Sequence, residues 1–103
     1  MKKADVYNFG IHAGVLTELE KRKAYTFQYT EDYAGSAISL TIPLKKEKYT
    51  FDSFPPFFEG LLPEGIQLES LLRRSKIDRD DYFSILILTG KDLVGSVTVE
   101  ESH

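Results

Sequence analysis

Residues 25–29 read Tyr-Thr-Phe-Gln-Tyr, and this stretch decides the expected fold because aromatic and polar side chains alternate along it. Alternation with a period of two is typical of a strand that buries one face. Residues 38–42 alternate in the same way up to Pro43 and predict a further strand, which ends where proline lacks an N–H for the ladder. The residues between the two runs contain Gly35 and are expected to form a turn.

The first twenty residues predict a hairpin that enters the same sheet. Two short runs, residues 5–9 and 12–19, are punctuated by Gly10 and Gly14. At the other end of the chain, residues 94–99 place three valines among small and polar residues and predict a closing strand. The sequence therefore predicts about five strands.

Two helices are expected between these strands. Residues 49–58 gather five aromatic side chains around two consecutive prolines, which predicts an irregular, aromatic-lined connection with room for a short helical turn. Leucines then recur at helical spacing and predict a helix over residues 64–75. The run at residues 82–88 is apolar on every side and predicts a second, buried helix.

Local signals mark the ends of the second helix. Asp78 and Asp81 are spaced to cap its N-terminus, where the helix dipole favours a carboxylate. Gly90 is expected in the left-handed position that commonly follows a helix.

This order of elements predicts the α+β class. Consecutive strands joined by short turns indicate an antiparallel sheet of about five strands with two helices packed on one face. A chain of 103 residues cannot fill a second hydrophobic core, so we expect one domain over residues 1–103.

Composition narrows the classes of function. Hydrophobic residues make up 42% and charged residues 28%, a balance typical of a globular domain. The net charge of −3 argues against direct binding of nucleic acid or anionic membranes. No apolar run approaches a membrane span and no signal-peptide pattern opens the chain, so a cytoplasmic protein is expected.

Few residues could carry catalysis. There is no cysteine, and only His12 and His103 could supply imidazole, so nucleophilic triads and thiolate metal sites are not expected. The glycines at 90 and 95 lack the spacing and the following helix of a phosphate loop. Asp78, Asp80 and Asp81 fit helix capping better than a calcium loop. We expect no catalytic residue, no cofactor and no metal, and hence no enzyme activity in the chain by itself.

The most distinctive segment, residues 57–65, reads Phe-Phe-Glu-Gly-Leu-Leu-Pro-Glu-Gly. It resembles the "FF-x-x-LLPEG" signature of the N-terminal subdomain of HipA-type serine/threonine kinases, the toxins of HipBA toxin-antitoxin systems. Residues 14–16, 25–29 and 38–44 resemble the strands that precede this signature. Residues 81–86, with Gly90 and Gly95, resemble the tail that follows it, so the similarity covers essentially the whole chain.

The resemblance implies a role in binding rather than in phosphoryl transfer. In HipA-type kinases the catalytic machinery follows this subdomain, so no kinase activity carries over. A free-standing copy is similar to the HipS-like proteins of three-gene HipBST systems, where a HipT-like kinase toxin lacks this piece. The implied partner is such a kinase, with a HipB-like helix-turn-helix protein as a possible further member of the complex. Met1 and the polar residues 100–103 favour a natural chain over a truncated one.

The helix over residues 64–75 contains the expected binding surface. At about 100° per residue, Leu68, Leu71 and Leu72 form one stripe, whereas Ile66 lies on nearly the opposite side. Ile66 is therefore expected either to anchor an interface or to pack on Pro63 or Phe58 at the helix entrance. The residues predicted to bind a partner are Pro63, Glu64, Gly65, Ile66, Gln67, Ser70 and Arg73.

Three other functions remain open at this point. The domain could complete the fold of its kinase while a helix-turn-helix partner acts as the antitoxin. It could also be a fragment that regulates its own catalytic half. An autonomous hydrolase is the least favoured reading.

Overall fold

The computed structural model describes residues 2–93 and 95–102, and a five-stranded antiparallel sheet forms its framework. The order across the sheet is β4-β3-β2-β1-β5, so the first four strands form a meander and the last strand returns beside β1. The α+β prediction is confirmed. The strands are β1 Lys2–Asn8, β2 Ile11–Glu20, β3 Ala24–Tyr29, β4 Tyr49–Phe51 and β5 Val97–Glu101.

Three helices lie between β4 and β5. The short α1, Pro56–Glu59, begins at a proline, whose missing N–H costs nothing in a first turn. The second, α2, spans Gly65–Ser75, and the third, α3, spans Tyr82–Thr89 and continues into a 3₁₀ turn over Gly90–Asp92. Of the two aspartates predicted to cap α3, Asp81 is the N-cap and accepts hydrogen bonds from the backbone N–H and the hydroxyl of Ser84. The Asp78 side chain pairs with Arg22 instead.

The core lies on one face of the sheet and is largely aromatic. Each inward aromatic of β3 meets an aromatic ring from later in the chain, at centroid distances of 5.3 to 5.9 Å. The contacts with Phe54 and Phe58 hold the connection after β4 against the sheet, as predicted for most of its phenylalanines. The contact with Tyr33 holds the turn after β3. The pairs are Tyr25 with Phe54, Phe27 with Phe58, and Tyr29 with Tyr33.

The predicted strand at residues 38–42 is wrong. This segment turns back on itself, with a hydrogen bond of 3.1 Å from the backbone N–H of Ile42 to the carbonyl oxygen of Ser39. The Tyr29 hydroxyl accepts from the N–H of Ile38 and donates to the carbonyl oxygen of Ile42. Both isoleucines are buried while Leu40 is 99% exposed, so the alternation reflects a turn around one tyrosine rather than a strand. The fourth strand is β4, within the stretch predicted to be irregular.

The left-handed conformation predicted for Gly90 is also wrong. Its φ of −58° is that of an ordinary helical residue. A glycine is required here for a different reason, because a Cβ would lie 2.0 Å from the carbonyl oxygen of Val99 in β5. The close approach of α3 to the edge strand thus depends on the absence of a side chain.

Two predictions fall partly outside the described residues. The closing strand begins at Val97 in the structure, and its predicted start at Val94 lies outside them, as does His103. The single domain over residues 1–103 stays a prediction.

Replacing Gly90 with alanine should destabilise the fold by about 3 kcal/mol, because the new methyl group forces α3 away from β5. The matched control is Gly60→Ala, which has a helical φ of −64° and whose Cβ would meet no atom closer than 3.4 Å. We expect the control to change the free energy of unfolding by less than about 0.5 kcal/mol. Urea denaturation measures both, and equal stabilities would contradict the steric account.

Candidate protein-binding surface

Helix α2 is weakly attached to the rest of the molecule. None of its 11 residues is buried, although it has a leucine stripe. Leu68, Leu71 and Leu72 are half-buried, which confirms the predicted inward side. An isolated helix shorter than about 12–15 residues is marginally stable in water, so α2 depends on packing against the rest of the domain. Its half-buried leucines provide only part of that packing.

The turn into α2 forms an exposed corner, defined here as residues 63–67. Glu64 is the N-cap but makes no side-chain capping bond, and Gly65 follows with a φ of +59° that favours glycine. Ile66 comes next and is 88% exposed. The alternative in which Ile66 packs on Pro63 or Phe58 is therefore wrong.

The seven predicted binding residues divide between two sides of α2. Ile66, Ser70 and Arg73 are exposed, as the helical spacing predicted. Pro63, Glu64 and Gln67 line a groove between α2 and α3. Gly65 joins the two sides at the corner. That these residues bind a partner stays a prediction.

The groove between α2 and α3 is a feature that sequence reasoning missed. It has a volume of about 930 Å³ and opens to solvent. The sequence predicted that the helix at residues 82–88, which is α3 in the structure, is buried on all sides. Leu88 of this helix is nevertheless 48% exposed, because it faces the groove. The apolar spacing did not reveal this, since every side of α3 is apolar. The leucines of the groove are Leu61, Leu62, Leu71, Leu88 and Leu93.

Two exposed ion pairs connect the loop after α2 to the middle of that helix and to the β2–β3 turn. Arg79 donates to Glu69 at 2.5 Å, and Arg22 in the β2–β3 turn donates to Asp78 at 2.9 Å. The hydrogen bond to Asp78 raises the pKa of Arg22 above its ordinary value. Exposed pairs contribute little stability, so they orient the loop rather than compensate for the missing burial of α2.

The C-terminal end of α2 carries positive charge from Arg73 and Arg74 in its last turn and from the C-cap Lys76. Within the described residues, no carboxylate lies within 4.0 Å of Arg73, Arg74 or Lys76. The helix dipole stabilises cations at a helix C-terminus, which explains why several of them can lie together there. Arg74 lines the groove, so positive charge borders its leucines.

The described residues hold no group of three or more histidine, cysteine or acidic side chains placed to bind a metal. His12 lies on β2, as expected for a hairpin residue, with Nε2 3.0 Å from a carboxylate oxygen of Asp5. Among the helices that the structure describes, none has the length and apolar character needed to cross a membrane.

Comparison with known proteins connects this geometry to a family. The family model described as "HipA N-terminal domain" matches residues 4–100. The solved structure described as "N-terminal domain of HipA toxin" superposes with a TM-score of 0.77 at 26% identity, covering 100% of this chain and 94% of that one. The resemblance seen in the sequence is confirmed, and these matches support a HipS-like protein.

Two relatives show different lengths around the same domain. An uncharacterized protein of Haemophilus influenzae is 29% identical over 101 residues, which cover 98% of this chain and 93% of that protein. "Putative kinase Y4dM" of Sinorhizobium fredii is 33% identical over 108 residues, covering 96% of this chain. The chain spans only 26% of that kinase.

The β2–β3 turn that carries Arg22 rests on a buried acid and tyrosine, which predicts a pH dependence. The Tyr25 hydroxyl donates to Glu18 at 3.1 Å, and burial followed by the charge of Glu18 raises the pKa of Tyr25 to about 12. Below pH 10.0 the tyrosine is protonated in both states, so its contribution to stability is complete. As the pH rises towards 12, the unfolded chain loses this proton first and stability falls.

Tyr25→Phe should lower the free energy of unfolding by about 2 kcal/mol at neutral pH, because a hydrogen bond to a buried carboxylate is lost. It should also reduce the alkaline loss of stability. Tyr82→Phe is the control, since the Tyr82 ring is 36% exposed. Urea titrations at several pH values test this, and an unchanged alkaline slope in Tyr25→Phe would contradict the assignment.

Proposed function

Because the chain belongs to the family of HipA N-terminal domains, we propose that it is an antitoxin of a type II toxin-antitoxin system. It binds a HipA/HipT-like serine/threonine kinase toxin and inhibits it by protein-protein contact. It works in the cytoplasm with no catalysis or cofactor of its own. A HipB-like helix-turn-helix protein is a further candidate member of the complex.

The exposed corner is the observation that carries this proposal. Ile66 presents an apolar side chain to solvent on the first turn of a helix, beside the polar Gln67 and Ser70. Interfaces commonly consist of an apolar anchor within a polar rim. The corner together with Ser70 on the next turn of α2 has this composition, and Gly65 supplies the positive φ of its backbone. It can insert one side chain into a cleft on another protein.

Inhibition by such a corner requires no reactive group. A side chain that occupies or borders the active cleft of the kinase prevents the arrangement needed for phosphoryl transfer. We expect Ile66 to make the central contact, with Ser70 and Arg73 at the edge. The inhibitor then acts through affinity alone.

The relatives support a kinase as the partner. In the Sinorhizobium fredii relative the matched region is about a quarter of a protein named as a putative kinase. In the Haemophilus influenzae relative it is nearly the whole protein. A domain found in both arrangements can pair with a kinase body in the same chain or in another.

Ile66→Asp should weaken binding to the kinase about thirtyfold or more, as expected for a central hot-spot residue. Because Ile66 is 88% exposed, its substitution should change the free energy of unfolding by less than about 0.5 kcal/mol. Isothermal titration of purified kinase with each variant measures the effect.

Leu40→Asp is the matched control for this experiment. Leu40 is 99% exposed and lies in the turn after β3, far along the chain from α2. The control should bind and inhibit as the wild type does. Equal loss in both variants would indicate a non-specific effect, and undiminished binding by Ile66→Asp would remove the corner from the interface.

A structural subunit is the second candidate, and the domain's place within a putative kinase favours it. In that case the chain completes the kinase fold without inhibiting it. Co-expression separates the two functions. An antitoxin should restore growth to cells that express the kinase, whereas a structural subunit should leave growth impaired or impair it further. Ile66→Asp should abolish the rescue if the antitoxin role holds.

A further inference from the structure

We infer that the groove between α2 and α3 is a second docking site, which receives an apolar segment of the kinase flanked by acidic residues. The inference rests on the proposed function, because it takes the kinase as the partner. The groove lies on a different side of α2 from the exposed Ile66 side chain. The interface would then hold α2 from both sides.

The first argument is the incomplete burial of α2. Leu71 of its leucine stripe lines the groove, and no side chain of the helix is buried. Leu71 faces the same open space as Leu88 from the opposite helix. An apolar segment between them would bury both side chains and supply the packing that a short helix needs.

The second argument is charge. Arg74 lines the groove at the C-terminal end of α2, Arg73 lies beside it in the last turn, and Lys76 is the C-cap. Among the described residues, no carboxylate lies within 4.0 Å of these three cations. Glu64, which also lines the groove, is the N-cap at the opposite end of the helix. A partner that brought cations here would meet repulsion, whereas carboxylates would gain ion pairs. The occupant is therefore an apolar segment with acidic flanks rather than a basic one.

The third argument is continuity with the corner. Pro63, Glu64 and Gln67 belong to the corner and also line one end of the groove. A protein that receives Ile66 therefore lies next to the entrance of the groove without crossing an intervening element. One partner can occupy both surfaces, which joins the anchor and the groove into a single interface.

The groove is tested with two pairs of matched variants against the purified kinase from the same organism. Leu88→Asp places a charge in the groove, and Leu19→Asp is its control because Leu19 is 49% exposed where Leu88 is 48% exposed. Arg74→Glu reverses a charge at the rim, and Lys21→Glu makes the same change on the exposed β2–β3 turn. Ile66→Asp is measured in parallel.

We expect Leu88→Asp to weaken binding about thirtyfold and Arg74→Glu about tenfold, with both controls within about threefold of the wild type. The Arg74→Glu loss should shrink at high ionic strength, since salt screens an exposed charge. Arg74 is exposed, so this variant keeps the test valid if Leu88→Asp proves unstable in urea denaturation.

The outcomes separate this inference from the proposed function. If Leu88→Asp and Arg74→Glu both bind the kinase as tightly as the wild type while Ile66→Asp loses binding, the groove is not a docking site. The antitoxin proposal would stand in that case. No kinase binding by the wild type would overturn both. A dimer of the chain that Leu88→Asp dissociates would assign the groove to a second copy and overturn the inference.

Discussion

The pairing of three β3 aromatics with rings from later in the chain is the contact on which the rest of the structure depends. Tyr25, Phe27 and Tyr29 lie on one face of the strand, and the rings they meet belong to three separate positions in the following connections. Each contact closes a loop that contains no long regular element. Large rings can do this because each buries much apolar area for little side-chain entropy. The sheet therefore sets where α1 begins and hence where the chain turns towards α2.

Helix α3 and helix α2 obtain their stability in different ways. Gly90 lets α3 end directly against β5, and Phe83 and Leu86 are buried in the core. Helix α2 has no equivalent, because its leucines stop at half burial and its outer side has an exposed isoleucine. A domain whose core is complete without α2 can present that helix to another protein at little cost to its own fold.

The contrast between a packed α3 and a weakly packed α2 is consistent with relatives in which the same domain forms different fractions of the chain. The matched region is nearly the whole of one relative and about a quarter of another, and in this chain the core contacts lie within that region. The corner and the groove lie on the helix that contributes least to the core, and the proposed contact with a kinase would add to its packing. If binding completes the packing of α2, binding and the stability of that helix are coupled, and the cost of ordering the helix becomes part of the free energy of association.

The sequence by itself determined the class of fold, the β1–β2 hairpin, β3, the two longer helices and the exposed side of α2, because these follow from local periodicity and capping. It also determined the family, through the motif at residues 57–65. Tertiary structure alone decided that residues 38–42 wrap around the Tyr29 hydroxyl, that β4 forms within the aromatic stretch, and that Gly90 is needed for close packing. Only the tertiary structure revealed the groove. An apolar pattern predicts which side chains avoid water, but it does not predict whether a neighbouring element covers them. Contacts between distant segments set that outcome, and periodicity contains no information on them.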